Sequence, residues 1–273
     1  MASPLVSLVA AAGARAEVRH DGAHVTSWRP MPDGVERLFL SARTELREGV
    51  AIRGGIPVIF PQFAAEGPLP RHGFARTMRW TFAGEERAGD GDVIARFTLR
   101  DSDATRAMWP AAFVATVTVR VGGRRLAVAL EVENTGDDPL RFTAALHTYL
   151  GVVNVSEAAL AGLQGQRYRV SGTPGALQVD PDDRLRADGE IDRVYVDVPC
   201  ALRLLEPSRE LVIGASGFPD VVIWNPGAVK AAALPDMEPE GERRMLCVES
   251  AVVQAPVIVD PGARWRGEQQ LTA

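Results

Sequence analysis

The chain has 273 residues, with 46% hydrophobic and 24% charged side chains and a formal net charge of −5. That length supports a single large core, and the composition is that of an ordinary globular protein, which excludes disorder, collagen and coiled coil. Thirty-five acidic residues face 30 basic ones, of which only Lys230 is lysine. Bulk charge therefore gives no pull toward nucleic acid or an anionic membrane, and makes the chain as a whole a poor partner for an anionic substrate.

Two cysteines, Cys200 and Cys247, cannot build a disulfide framework and fit a reducing compartment, so a cytoplasmic location is expected. The apolar stretch from Pro4 to Gly13 has no Lys or Arg before it and reads as a first strand rather than a signal peptide. No apolar run is long enough to span a bilayer. His20 and His24 flank an Asp21-Gly22 turn. A short helix is predicted over Ser41 to Glu48, and a second over Ser102 to Trp109, capped by Ser102 or Asp103 and stopped by Pro110.

The remaining elements are strands. Ile94 to Leu99 is one. Phe113, Ala115, Val117, Val119 and Val121 then alternate with smaller or polar residues. After Gly122-Gly123, the residues Leu126, Val128, Leu130 and Val132 alternate again, which predicts a hairpin turning on the two glycines. Further runs occupy Leu140 to Leu150, Arg193 to Val198, Leu202 to Leu205, Val221 to Trp224, Leu246 to Val252 and Trp265 to Leu271. With 26 glycines and 19 prolines punctuating them, no linker and no repeat, the expectation is an all-β fold. It takes the form of a large antiparallel β-sandwich with a few short helices, in one domain over residues 1–273.

Motifs for the common cofactors are missing: no glycine-rich phosphate loop, no nucleophile elbow, no Cys-x-x-Cys and no His-Glu-x-x-His. A metal site from His24, His72, His147 and a carboxylate is conceivable, but no spacing selects it, and none is expected. In Phe142 to Leu150, strand alternation places Thr143, Ala145, His147 and Tyr149 on one face. A lone strand histidine is usually a core residue satisfied by a carbonyl. Glu249, however, interrupts the apolar run Met245 to Val253, where an unpartnered carboxylate is costly. One acid and one base candidate in separate strands could form a proton-transfer pair, with the histidine near its ordinary pKa and the glutamate ionised. Between Gly67 and Gly84 lie Arg71, Arg76 and Arg79 with no acid, and Arg53 stands just upstream. Forked guanidiniums on a glycine- and proline-fixed loop suit a phosphate or carboxylate, although charge clusters are more often solvated surface.

Six segments carry a resemblance across nearly the whole chain: Arg53-Gly-Gly-Ile-Pro-Val-Ile-Phe-Pro61, Pro70-Arg-His-Gly-Phe-Ala-Arg76, Leu146-His-Thr-Tyr149, Ile191-Asp-Arg-Val-Tyr195, Val222-Ile-Trp-Asn-Pro226 and Cys247-Val-Glu-Ser250. In that order they resemble the aldose 1-epimerase (galactose mutarotase-like) superfamily, in its glucose-6-phosphate 1-epimerase, or hexose-6-phosphate mutarotase, branch. The resemblance implies a β-supersandwich that binds a sugar phosphate on one concave face without cofactor or metal, commonly as a monomer. By that pattern His147 is the general acid at the ring oxygen and Glu249 the general base at the anomeric hydroxyl. Arg53 and Arg76 bind substrate and phosphate, His72 is a second active-site histidine, and Asp192 binds sugar hydroxyls. Arg71 stands where related sequences often carry Gln, and adds a candidate phosphate contact. Ser250-Ala251 replaces a frequent Pro-Gly. The competing functions are a mutarotase for free aldoses and a non-catalytic carbohydrate-binding or sugar-sensing protein of the same fold.

Overall fold

Strict alternation in the chain is realised as strand pairing in the computed structural model, which describes residues 4–172, 176–199 and 201–273. Twenty strands form among these residues, all paired antiparallel. The first half holds β1 (Leu5–Val9), β2 (Arg15–Arg19), β3 (His24–Arg29), β4 (Val58–Ile59), β5 (Thr81–Arg87), β6 (Val93–Arg100), β7 (Phe113–Gly122), β8 (Arg125–Asn134), β9 (Leu140–Leu146) and β10 (Tyr149–Gly151). The second half holds β11 (Ala159–Ala161), β12 (Arg167–Val170), β13 (Gln178–Val179), β14 (Arg184–Leu185), β15 (Ile191–Val196), β16 (Leu202–Glu206), β17 (Arg209–Ser216), β18 (Asp220–Asn225), β19 (Met245–Val259) and β20 (Arg264–Thr272).

One sheet runs β14-β11-β16-β17-β20-β8-β7-β6-β5, and a second runs β13-β12-β15-β18-β19-β9-β4, with β10 added beside β19; β1-β2-β3 form a smaller third sheet. The large sheets pack face to face. Val117, Val119, Leu130 and Val132 of the first meet Phe142, Leu146, Ile223 and Val248 of the second in one continuous core, which Val18 and Trp28 of the third sheet also join. Burying each such side chain contributes roughly 1.5–3 kcal/mol.

Period-two geometry decides which residues leave this core. Along β19, Leu246, Val248 and Val252 enter it, while Cys247, Ala251 and Val253 fall in two smaller clusters on the opposite face. Glu249 shares their side. The eight-stranded sheet therefore has a second face lined by short apolar side chains, and the chemistry-bearing residues lie there.

Three local expectations are corrected. The 113–134 hairpin turns on Gly123-Arg124, one residue later than the glycine pair suggests, because Gly122 pairs with Arg125 and stays in the ladder. Ser41 to Glu48 is not helical. Ser41 Oγ donates to the Asp236 carbonyl (2.7 Å), and the Ala42 amide is taken by the Glu238 carboxylate, so distant partners hold the groups that would start a helix. The predicted strand Leu140 to Leu150 breaks at His147-Thr148, where the His147 amide turns to the Pro57 carbonyl (3.0 Å). The helix after Ser102 forms as read, spanning Asp103–Met108, with Ser102 and Thr105 making a reciprocal capping box. Cys200 lies outside the described residues. No helix among them is long and apolar enough to cross a membrane.

Candidate active site

Two adjoining strands place the central pair. Tyr149 of β10 lies opposite Cys247 of β19, and Glu249 follows two residues on, so the break at His147 brings its imidazole beside Glu249. His147 Nε2 stands 3.3 Å from Glu249 Oε1, with side-chain exposures of 10% and 1%. The imidazole is fixed on three sides. It stacks on Tyr149 (ring centroids 4.8 Å apart, 12° between planes) and meets His72 and Trp224 edge-on at 5.6 and 6.0 Å. Behind the pair, Thr148 points into the core and donates to Gln269 Oε1 (2.5 Å). Gln269 Nε2 in turn donates to the Val248 carbonyl (3.0 Å) and Ser250 Oγ (2.9 Å). Gln269 belongs to β20 of the facing sheet, so both neighbours of Glu249 are tied across the sandwich. The Ser250-Ala251 variation is accommodated here, because both residues pair regularly with Leu146 and Ala145.

The other wall is built from the loop around β4. Gly55 has φ +63°, and a Cβ there would stand 2.3 Å from the Val25 carbonyl oxygen, so only glycine lets this loop cross β3. Arg53, two residues before, donates from Nη1 to the Tyr149 hydroxyl (3.1 Å) and from Nε and Nη2 to Asp236 Oδ1 (3.2 and 3.1 Å). His72 adopts φ +68° and accepts the Ala64 amide on Nδ1 (3.3 Å) while its own amide donates to the Ala64 carbonyl (2.8 Å). Its Nε2 is thereby left as the protonated nitrogen. Arg76 donates from Nη2 to the Arg71 carbonyl (3.0 Å). Among the described residues neither Arg71 nor Arg76 has an acid within ion-pair distance.

These residues line one cavity of about 420 Å³, whose walls include Arg53, Arg71, His72, Arg76, His147, Asp192 and Glu249. All seven predicted site residues thus converge. Two other residues named in the sequence lie elsewhere. Arg79 points away, half-exposed and 3.9 Å from Glu48. The conceived metal set does not assemble, since His24 is buried beneath the loop with Nε2 2.7 Å from the Gly54 carbonyl oxygen and does not line the cavity.

Burial and neighbouring charges shift the titratable groups of the cavity away from their ordinary values. Burial holds His72 down at about 3, with Arg76, Arg71 and Arg53 adding to it. Burial, then His72 and the two arginines Arg76 and Arg53, drives His147 well below the ordinary histidine value. Burial and the neighbouring Asp192 push Glu249 well above the usual carboxylate range, against Arg71, and burial also raises Asp192. Both members of the pair are thereby driven toward neutral forms, a glutamic acid beside an imidazole. A strand pattern carries no measure of desolvation, so these directions of shift are not legible in it. His147 Nδ1, Glu249 Oε2 and Arg76 Nε are buried without a hydrogen-bond partner among the described residues, so the site is unsatisfied by the protein alone.

Asp236, Ser171 and Lys230 carry no role in the sequence analysis. Lys230 and Ser171 line the cavity, and Asp236 anchors Arg53. The single lysine in a chain of arginines was a visible signal, whereas nothing local marks Asp236. Trp224 and Tyr149 stood within the quoted segments without a function.

Known proteins resemble this chain in sequence and in fold. The aldose 1-epimerase family model matches residues 4–272. A protein of Cenchrus ciliaris named "putative glucose-6-phosphate 1-epimerase" is 34% identical over 267 residues, covering 94% of this chain and 81% of the relative. A protein of the same name from Escherichia coli K12 is 35% identical over 234 residues, covering 84% and 77%. The crystal structure of a "putative mutarotase" from Salmonella typhimurium superposes with a TM-score of 0.90 at 28% identity, over 99% of this chain and 90% of that one. A galactose mutarotase-like protein from Lactobacillus casei shares the fold, with a TM-score of 0.78 at 16% identity over 98% and 99% of the two chains. Sequence and fold agree, and the chain belongs to the aldose 1-epimerase family.

Proposed function

We propose that the protein is a hexose-6-phosphate 1-epimerase that interconverts the α and β anomers by cofactor-free ring opening and closure. The observation that carries the reading is the buried His147–Glu249 pair, 3.3 Å apart with free lone pairs, at the wall of a cavity that also holds two guanidiniums without acidic partners. Glu249 takes the proton of the anomeric hydroxyl while His147 delivers one to the ring oxygen. The bond between C1 and the ring oxygen breaks and C1 becomes an aldehyde. Rotation about C1–C2 presents its other face, and the same groups acting in reverse close the other anomer. The 3.3 Å contact between His147 Nε2 and Glu249 Oε1 lets a proton pass directly between the two groups, which readies acid and base without exchange with solvent.

His72 Nε2–H and Asp192 serve the sugar hydroxyls, and Arg71 and Arg76 serve the phosphate, as charge-assisted donors matched to its oxygens. Arg53, already bonded to Asp236 and Tyr149, shapes the wall and supports the phosphate at longer range. Every group named comes from one chain, so the reading needs no second subunit.

His147→Asn and Glu249→Gln are each expected to lower anomer exchange on glucose 6-phosphate by roughly 10²–10⁴-fold, the usual contribution of one positioned acid or base. NMR saturation transfer between the anomers measures this. Near-normal exchange in either folded variant would refute the assignment, and equal turnover of glucose and glucose 6-phosphate would point to free aldoses as the substrate.

A further inference from the structure

The proton-transfer chemistry does not use Cys247, yet the structure places its sulfur against both members of the pair. The ligand atoms of His147, Cys247 and Glu249 all lie within 4.8 Å of one another, and all three residues are buried. Strand geometry makes this specific: Cys247 and Glu249 are two apart on β19 and share a face, and His147 reaches them from the adjoining break. We propose that these three side chains form a binding site for a divalent cation of the zinc class, which competes with the sugar and switches the protein off.

Donor type and spacing both support this. Zinc bonds to sulfur at about 2.3 Å and to imidazole nitrogen or carboxylate oxygen at about 2.0–2.2 Å, so tetrahedral ligands sit roughly 3.3–3.8 Å apart. The imidazole and carboxylate already stand 3.3 Å apart, and rotation of the side chains by about an ångström closes the rest. A thiolate with an imidazole selects zinc, cobalt or cadmium over magnesium or calcium, which prefer oxygen alone. Coordination through Nε2 and Oε1 replaces the contact between them, while among the described residues Glu249 Oε2 and His147 Nδ1 have no other hydrogen bond to lose. His147 and Glu249 line the cavity, which would supply the fourth ligand. On binding, the thiol proton and the carboxyl proton pass to water, and the thiolate and carboxylate balance the cation's charge. The lone pairs required for mutarotation are then occupied by metal.

Calorimetric titration of the full chain with zinc sulfate in phosphate-free buffer is expected to show one tight site. Cys247→Ser and Cys247→Ala should weaken it by more than about 100-fold, since losing even an outer partner of a ligand costs 10–100-fold. Cobalt added to the native protein should give a thiolate-to-cobalt charge-transfer band that Cys247→Ala lacks. Zinc should suppress anomer exchange reversibly on chelation, while Cys247→Ala keeps its exchange rate and resists zinc. Circular dichroism melts confirm that both variants fold. No uptake by the native protein, or an unchanged isotherm in folded Cys247→Ala, overturns the site. A protein that binds zinc this way but exchanges no anomers would contradict the proposed function and leave the metal site standing.

Discussion

At the scale of single residues, the arginines divide by what already holds them. Arg53 is bonded to the Asp236 carboxylate and the Tyr149 hydroxyl, and against the lowering effect of burial these partners raise its pKa. Arg76 is buried among like charges, with burial foremost in lowering its pKa and Arg53 and Arg71 contributing, and its Nε has no partner. An incoming phosphate therefore gains more from Arg76. Arg76→Ala is expected to raise the KM for glucose 6-phosphate by about 10–100-fold, corresponding to ~1.5–3 kcal/mol for a charged hydrogen bond, and to leave free glucose nearly unaffected. Arg53→Ala should weaken both sugars, because it releases Tyr149, on which His147 stacks. Comparing KM for the two sugars in each variant checks this; an equal loss on both sugars in Arg76→Ala would contradict the phosphate role. The charge density that the sequence displays as one arginine cluster is thus unequal in the fold, with one member withdrawn by an aspartate nearly 200 residues away and Arg79 turned outward.

At the scale of elements, the loops before and after β4 hold the site by backbone conformations that few side chains tolerate. Gly73 has φ +67° and follows His72 at φ +68°; a Cβ on Gly73 would stand 2.2 Å from the Phe60 carbonyl oxygen, which also accepts the amides of Phe74 and Ala75. Gly73→Ala is expected to destabilise the fold by about 1–3 kcal/mol, the cost of one strained conformation, and to displace His72. Urea unfolding measures the first effect and the KM for glucose 6-phosphate the second; a variant as stable as the native chain would refute the strain. The glycine and proline punctuation of these segments was legible in the sequence as turns. That the glycines let the loop pass over β3 and the Pro61 segment was not, because close approach between chains distant in sequence leaves no local pattern. The same limit explains Ser41 to Glu48, where the Asp236 carbonyl takes the Ser41 hydroxyl and the Glu238 carboxylate takes the Ala42 amide.

At the scale of the whole molecule, the two large sheets are joined by a buried polar clamp as well as by apolar contact. Gln269, 1% exposed, bonds Thr148, Val248 and Ser250 across the core. Gln269→Ala strands three buried groups and should cost about 3 kcal/mol or more, at ~1–3 kcal/mol for each group left unsatisfied. A loss below about 1 kcal/mol in urea unfolding would show that the clamp does not hold the sheets.

Buried histidines set the acid limit. Burial lowers His24 from 6.5 to about 4, outweighing its bond to the Gly54 carbonyl. Between those values the unfolded chain binds a proton that the folded chain refuses. Stability from this source is complete above about pH 6.5 and is lost as pH falls toward 4. His72 and His147 act in the same sense. Glu249 acts in the opposite sense, its contribution shrinking as pH rises past the ordinary carboxylate value. His24→Gln should flatten the stability curve between pH 4.5 and 6 by roughly 1 kcal/mol per pH unit. An unchanged slope would show that His24 is protonated in the native state.

The sequence by itself determined the all-β architecture, most strand positions and the face on which His147 lies, and its resemblance to a known family pointed to the seven residues that meet in the cavity. Period-two alternation and short motifs record which side of a strand a residue occupies. Only the tertiary structure decided that burial shifts both members of the pair toward their neutral forms, that Arg53 is shared with Asp236, that Gln269 braces the site from behind and that Cys247 stands beside the pair. Burial, charge pairing and cross-sheet contact depend on distances between segments far apart in the chain, and no local pattern carries those distances.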